Sequence, residues 1–154
     1  MSVDNLEKLD VWRKAKEYAL LIYQDAIPLL PQDEKWAMVQ QIRRSAQSIP
    51  ANIAEGHGRF YFQETIRFCY IARGSLEETH SYVAMACELG YIPEKLYQKI
   101  TVDGDNLARL INGYIGYLKH ARIGSTEPGN PASSLHESPS DYQPDLQPDI
   151  LPDD

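Results

Sequence analysis

Glu77 and His80 are the first residues with a catalytic pattern, because they form a Glu-x-x-His spacing in the stretch EETH. On a helix this spacing places both side chains on one face, as in the di-iron sites of four-helix bundles. Such a site needs a second Glu-x-x-His and two further helix-borne glutamates. The sequence holds no second copy. We therefore expect no metal centre and interpret His80 as an exposed or interhelical side chain.

The two cysteines are the remaining candidates for nucleophilic or redox chemistry. Cys69 and Cys87 lie 18 residues apart on one predicted helix, which separates them by about 27 Å and excludes a disulfide. Neither belongs to a Cys-x-x-Cys motif or adjoins a histidine. Serine nucleophile elbows, phosphate loops and dinucleotide fingerprints are also missing. We predict a protein that is not an enzyme, binds no cofactor and keeps both thiols buried and reduced.

Arginines concentrate in the middle of the chain and suit phosphate binding. Residues 35–73 carry six cations against two acids, a local net charge of +4. Guanidinium groups bind phosphates, and the neighbouring His57, Phe60 and Tyr61 are able to stack on bases. An ordinary ion pair or a subunit contact is the alternative for each arginine. The candidate nucleic-acid-binding residues are Arg43, Arg44, Arg59, Arg67 and Arg73.

A polar stripe runs beside the apolar stripe of the same segment, at spacings of three and four residues. We interpret it as a polar seam between helices or between subunits. Ser48 and Asn52 are expected to satisfy backbone groups that Pro50 frees, and Glu55 is expected to pair with an arginine. The residues assigned to this seam are Gln41, Ser48, Asn52, Glu55, Ser75 and Glu78.

Apolar residues that recur every three or four positions predict the four helices that position these side chains. The first helix is expected from about Asp10 to Ala26, and the second from Glu34, with Asp33 as its N-cap. The third begins near Tyr61, and the fourth follows Pro93. Strand alternation is absent. The fold class is therefore all-α, an antiparallel up-down-up-down four-helix bundle over residues 1–122.

Prolines and glycines punctuate these predicted helices. Pro50 is expected to bend the second helix without ending it, because the apolar stripe continues past the proline. Gly90 is expected to cap the third helix. Gly113 and Gly116 predict tight packing of the fourth helix against a neighbour.

Charge divides the chain into a neutral body and an acidic tail. Residues 1–122 hold all 15 Lys and Arg and 15 of the 22 Asp and Glu, whereas residues 123–154 hold seven acids and no base. Six of the ten prolines also lie in this tail, in repeats such as QPDL and QPDI. We predict a disordered acidic tail over 123–154. It is either a solubilising segment or a polyanion that competes for the basic face of the body.

Membrane insertion and secretion are not indicated. No window approaches the roughly 18 uninterrupted apolar residues of a membrane span, and the first residues lack a basic start followed by an apolar run. We therefore expect a soluble cytoplasmic protein.

Three ordered motifs resemble the four-helix-bundle proteins known as 23S ribosomal RNA intervening-sequence proteins. The motifs are QIRR (41–44), SIPANIAEG (48–56) and GSLEE (74–78), and LDVW (9–12) resembles the family's entry into its first helix. The resemblance covers about residues 6–120. It implies an antiparallel four-helix bundle that assembles into a ring-like homopentamer.

The resemblance also implies partners. Members of the family are encoded within insertions in large ribosomal RNA genes, and relatives serve as accessory variability determinants of diversity-generating retroelements. Those relatives look like strongly basic, nucleic-acid-binding partners of a reverse transcriptase, whereas the body of this chain is neutral. Two functions are expected: a homo-oligomeric accessory protein that binds RNA or DNA non-specifically, or an oligomeric protein–protein interaction scaffold with no nucleic-acid binding. The partners that the resemblance implies are RNA or DNA and a reverse transcriptase or another protein.

Overall fold

All regular structure is helical in residues 3–121, the part of the chain that the computed structural model describes. The all-α prediction is therefore confirmed, and the predicted tail lies outside the described residues. None of the described helices combines the length and apolar character needed to cross a bilayer. The helices are α1 (Val3–Glu7), α2 (Asp10–Leu21), α3 (Met38–His57), α4 (Phe62–Glu88) and α5 (Glu94–Ala121). The short α1 was not predicted.

The four longer helices pack in sequential order around one core. α3 packs against α2 and α4, and α5 packs against α4 and α2. α3 and α4 run antiparallel, since Ser45 lies opposite Thr79 and Ser48 lies opposite Ser75. α4 and α5 do the same, because Arg73 lies opposite Asn112 at one end and Cys87 lies beside Glu94 at the other.

The predicted apolar stripes form the core. Every residue of the apolar stripes predicted for the first two helices is buried: Val11, Ala15, Tyr18, Ile22 and Ala26 in the first, and Met38, Ile42, Ala46, Ile49 and Ile53 in the second. Burying a side chain of isoleucine size contributes about 1.5–3 kcal/mol relative to leaving it exposed, so these stripes are the main reason that the helices associate. The fully buried isoleucines are Ile22, Ile42, Ile49, Ile53, Ile100 and Ile111.

The connection between the first two long helices differs from the prediction. The regular α-helix ends at Leu21, and a π-helical turn (Ile22–Ala26) follows it. α3 begins at Met38, four residues later than predicted. Asp33 is not its N-cap, because it lies in a 3₁₀ turn (Gln32–Glu34). The Glu34 carboxylate instead accepts a hydrogen bond from the Met38 amide at 3.3 Å.

Pro50 lies inside α3, which continues through it as predicted. The expected compensation at the proline is wrong. Proline lacks an N–H, so the carbonyl that loses its helical partner is that of Ala46, four residues earlier. Ser48 and Asn52 do not serve this carbonyl, since they hydrogen-bond to each other.

The glycines that allow close contact are not those that their spacing suggested. A Cβ added at Gly113 or Gly116 would meet no atom of the described residues within 4 Å, so the predicted tight packing is wrong for residues 3–121. Gly56 takes that role, because a Cβ there would lie 2.9 Å from the Cβ of Phe68. Gly90 has a φ of 77°, which confirms it as the left-handed residue that ends α4.

The prediction of two buried thiols is correct for Cys69 and wrong for Cys87. Burial raises the pKa of Cys69 to about 11. Cys87 is half-buried near the end of α4, and its thiol donates to Glu94 Oε2 at 3.4 Å. Desolvation and the neighbouring Glu94 carboxylate raise the pKa of Cys87 as well. The two thiols therefore differ mainly in access.

We expect iodoacetamide to modify Cys87 well before Cys69 in the native protein. Alkylation requires an accessible thiolate. The pKa is raised at both thiols, but Cys69 is buried and its sulfur is shielded from the reagent, whereas Cys87 is half-buried. Peptide mass spectrometry over a time course measures both sites. The two cysteines should react at similar rates in denaturant, and native modification of Cys69 at the Cys87 rate would contradict the burial.

Candidate nucleic-acid interface

Small polar side chains line the contact between α3 and α4. Ser48 Oγ and Ser75 Oγ lie 2.9 Å apart. Asn52 Nδ2 donates to both the hydroxyl and the carbonyl oxygen of Ser48 at 2.8 Å. These residues therefore form a hydrogen-bonded seam between two helices of one chain, and their small volumes let the helices approach closely.

Two of the candidate arginines lie at the ends of this seam and are paired with acids. Arg44 donates to Glu78 Oε1 at 2.9 Å and to Gln41 Oε1 at 3.1 Å. Arg59 pairs with Glu55, one helical turn earlier, and its guanidinium lies 5.2 Å from the centroid of the Phe68 ring. Both arginines already have a carboxylate, so neither is a strong candidate for binding phosphate.

Ser45 and Thr79 form a buried pair in the same seam. Thr79 Oγ1 lies 2.9 Å from Ser45 Oγ and 2.8 Å from the Ser75 carbonyl oxygen, while Ser45 Oγ donates to the Ile42 carbonyl. Sequence reasoning did not assign Thr79 to the seam, although it follows Ser75 by one helical turn.

Arg43 lies on the opposite edge of α3, beside α2. Its guanidinium carbon is 5.1 Å from the centroid of the Tyr23 ring, and Tyr23 Oη donates to its carbonyl at 3.3 Å. Arg43 and Arg44 are adjacent in sequence but about 100° apart around the helix. The structure does not bring the five candidate arginines together in one chain.

Two other cations converge on the face shared by α4 and α5. The Arg73 guanidinium carbon lies 4.9 Å from the centroid of the Tyr70 ring, and Lys119 Nζ lies 5.8 Å from the same centroid. Lys119 also donates to Tyr70 Oη at 3.2 Å, and Arg73 donates to Asn112 Oδ1 at 2.9 Å. Arg67 is exposed one turn before Tyr70. We call this set, Arg67, Tyr70, Arg73, Asn112 and Lys119, the cationic face.

The cationic face is free of carboxylates. Residues 65–76 of α4 and 106–121 of α5 contain no Asp or Glu. Glu64 and Glu77 flank this part of α4, one turn from Arg67 and Arg73, and neither acid is within ion-pair distance of these arginines. Among the described residues, none of Arg67, Arg73 and Lys119 is within ion-pair distance of an acid. Like charges placed close together repel unless an anion lies between them. The electrostatics of this face therefore favour a bound anion.

The α5 side of the cationic face is open. Gly116 lies between Asn112 and Lys119 along α5, and a Cβ at this position would meet no atom of residues 3–121 within 4 Å. An extended ligand is therefore able to approach the backbone of α5 between the two side chains. Sequence reasoning missed Tyr70, Asn112 and Lys119, although the acid-free stretches of α4 and α5 were a signal for them.

The Glu-x-x-His spacing belongs to an interhelical contact. His80 stacks on Tyr97 of α5, with ring centroids 5.7 Å apart. Within residues 3–121, no three His, Cys, Asp or Glu side chains are grouped as ligands for a metal ion.

A comparison with protein families identifies the chain. The family model described as 23S rRNA-intervening sequence protein matches residues 7–113. The chain belongs to this family. The match includes the α3–α4 seam and most of α5, whereas Lys119 lies six residues beyond it. The family resemblance that the sequence motifs indicated is therefore confirmed.

A solved structure supports the same assignment. It is the crystal structure, at 1.70 Å, of a protein with unknown function from the S23 ribosomal protein family of Bacteroides thetaiotaomicron. That chain is 28% identical, and the alignment covers 68% of this chain and 97% of that chain with a TM-score of 0.62. None of the curated proteins compared matches this chain.

Proposed function

We propose that this family member is a cytoplasmic, non-enzymatic accessory protein that binds single-stranded RNA or DNA non-specifically through the cationic face. The observation that carries the proposal is the convergence of Arg73 and Lys119 on Tyr70 without a described carboxylate partner. Phosphate groups supply the missing anions. Tyr70, a residue that is 40% exposed, supplies an aromatic ring on which an unpaired base stacks.

The composition of the face argues for single strands and against sequence recognition. Cations that follow the backbone, combined with an aromatic ring, are typical of proteins that bind single strands without reading base edges. The family name refers to 23S ribosomal RNA, which agrees with an RNA ligand. This assignment replaces Arg43, Arg44 and Arg59 with Tyr70 and Lys119 as contact residues, and keeps Arg67 and Arg73.

Assembly extends the proposal. We propose that the protein acts as a homo-oligomer, a pentamer according to the family resemblance, with a reverse transcriptase or another protein as a further partner. Each copy would contribute one cationic face, and several faces on one nucleic-acid strand raise the overall affinity through their effective concentration. Light scattering measures the subunit number, and a monomer would contradict this part.

The Arg73→Ala/Lys119→Ala double variant tests the nucleic-acid proposal. Each phosphate contact to a single strand contributes about −0.7 to the slope of log affinity against log salt. Removing two contacts should therefore make this slope about 1.4 less steep, together with a loss of affinity at low salt. Fluorescence anisotropy with a labelled oligouridylate over a salt series measures both quantities.

Arg13→Ala/Lys14→Ala is the matched control. It removes the same residue types and the same charge from α2, where Arg13 pairs with Asp10 and Lys14 pairs with Glu17. The control should retain nearly all of the affinity. Equal losses of affinity in the two double variants would indicate that the overall charge of the protein attracts the oligonucleotide, and would contradict a localised binding site on the cationic face. No binding by the wild-type protein even at low salt would remove the nucleic-acid proposal altogether.

Exposed helical glycines favour the protein scaffold as a second candidate. Gly74 and Gly113 lie inside α4 and α5 with nothing within 4 Å of an added Cβ, although glycine costs a helix roughly 0.5–1 kcal/mol relative to alanine. Ile71 and Leu110 are exposed on the same two helices. A partner that packs closely on this side would explain both features. A partner that binds with an affinity that changes little with salt concentration would support the scaffold over phosphate recognition.

A further inference from the structure

The acidic segment 123–154 follows α5, the helix that carries Lys119 of the cationic face, in the sequence. α5 ends at Ala121, two residues after Lys119. The segment that follows has seven acids and no base. The first of these acids, Glu127, is eight residues beyond Lys119, a distance that an extended chain spans with about 26 Å of reach. The segment is therefore long enough to turn back onto the face that carries Lys119.

Charge elsewhere on the bundle directs an acidic segment toward this face. The opposite end of the bundle carries Asp33, Glu34, Glu88 and Glu94 against Lys35 and Lys95, so its net charge is negative. The carboxylate of Glu34 accepts hydrogen bonds from the Met38 amide and from Tyr91 Oη. These donors stabilise the negative charge of Glu34 at this end of the bundle. By contrast, the cationic face has three cations and no carboxylate in the helix segments that form it.

The spacing of the acids suits the face. Asp141, Asp145, Asp149 and Asp153 recur every four residues, and four residues of extended, proline-rich chain span about 12 Å. Arg67 and Arg73 are six residues apart on α4, about 9 Å along the helix axis and about 120° apart around it, with Tyr70 between them. Successive aspartates are thus able to reach successive cations.

We infer that the acidic segment 123–154 binds the cationic face of its own chain and competes there with nucleic acid. The competition rests on the proposed function, whereas the docking of the segment does not. A tethered segment acts at an effective concentration in the millimolar range, so even weak ion pairs compete with a ligand in solution. The segment would then limit binding to ligands that offer several phosphates at once.

Cross-linking of the full-length protein tests the docking without any nucleic acid. A carbodiimide joins amines to carboxylates that are in direct contact. We expect Lys119 to be joined to acids of segment 123–154 at low salt, and this product to disappear at high salt. Lys14 and Lys99 are internal controls, since each lies beside an acid of its own helix, Glu17 and Asp103. Mixing isotopically labelled and unlabelled protein separates links within one chain from links between copies.

Affinity measurements test the competition. In the full chain, changing Asp141, Asp145, Asp149 and Asp153 to Asn removes four charges and keeps the length. We expect this variant to bind a labelled oligouridylate about threefold to tenfold more tightly than the wild type at low salt, with the difference disappearing as salt rises. In a protein that already carries Arg73→Ala/Lys119→Ala, the same four Asn substitutions should not increase the affinity.

The outcomes separate the two proposals. Equal affinity of the wild type and the Asn variant would overturn the competition and leave nucleic-acid binding intact. If neither protein binds nucleic acid, the proposed function fails, and the Lys119 cross-link alone decides whether the segment docks. Tail carboxylates joined equally to all lysines, or to none, would overturn the docking.

Discussion

Replacing Tyr70 with alanine is expected to weaken the binding of a single-stranded oligonucleotide by about 5-fold to 100-fold. Stacking of a base on an aromatic side chain contributes about 1–3 kcal/mol. The substitution also removes the ring on which Arg73 and Lys119 converge, so both cations lose their common support. Fluorescence anisotropy at one fixed, low salt concentration measures the change.

Tyr70→Phe is the control for this prediction. It keeps the ring and removes only the hydroxyl that accepts a hydrogen bond from Lys119 at 3.2 Å. We expect this variant to stay within about threefold of the wild type, because the hydrogen bond from the charged Lys119 ammonium is exposed to water, and exposed charged pairs contribute only about 0.2–1 kcal/mol. A duplex of the same length should be affected little by either substitution. Equal losses in the two variants would show that the hydroxyl, not the stacking surface, carries the interaction.

Gly56→Ala is expected to lower the free energy of unfolding by about 1–3 kcal/mol, the range for inserting a methyl group into a packed site. The new Cβ would lie 2.9 Å from Phe68 Cβ and 3.1 Å from the carbonyl oxygen of Thr65. The backbone oxygen of Thr65 belongs to the first turn of α4, so α4 itself would have to move away from α3. Urea denaturation followed by circular dichroism measures the loss.

Gly113→Ala is the matched substitution on an open surface. Its Cβ would meet nothing within 4 Å, so the helix should gain about 0.5–1 kcal/mol from the lower entropy of its unfolded state. Opposite signs for the two variants are the expected result. A loss of stability at Gly113 would indicate that another copy or partner covers this part of α5, in favour of the scaffold candidate.

Periodicity was sufficient to predict the helices and their buried faces, because burial of apolar side chains dominates the packing of a bundle. Residues such as Ile42, Ile49 and Ile111 are buried where the stripe places them. The start of α3 was not predictable in the same way. It depends on the Glu34 carboxylate, which contacts both the Met38 amide and Tyr91 in the loop between α4 and α5. A contact between residues so distant in sequence leaves no local pattern.

The candidate site was predicted less well, because closeness in sequence is not closeness in space. Arg43 and Arg44 face different neighbouring helices, and Arg44 is neutralised by Glu78, 34 residues away. Lys119 was overlooked because charge was counted within consecutive segments, whereas the cationic face draws its charges from two antiparallel helices. Arg73 was found from sequence, but its partners Tyr70 and Asn112 were not.

The serine and asparagine side chains between α3 and α4 fix the register of that helix pair. A slide of one helical turn moves each side chain by about 5.4 Å, which would break the Ser48–Ser75 and Ser45–Thr79 hydrogen bonds together. Apolar contacts tolerate such a shift, because one methyl group replaces another at little cost. Directional hydrogen bonds do not, since an unpaired buried hydroxyl costs about 1–3 kcal/mol. The seam thus selects one alignment of two long helices from several that the core alone would allow.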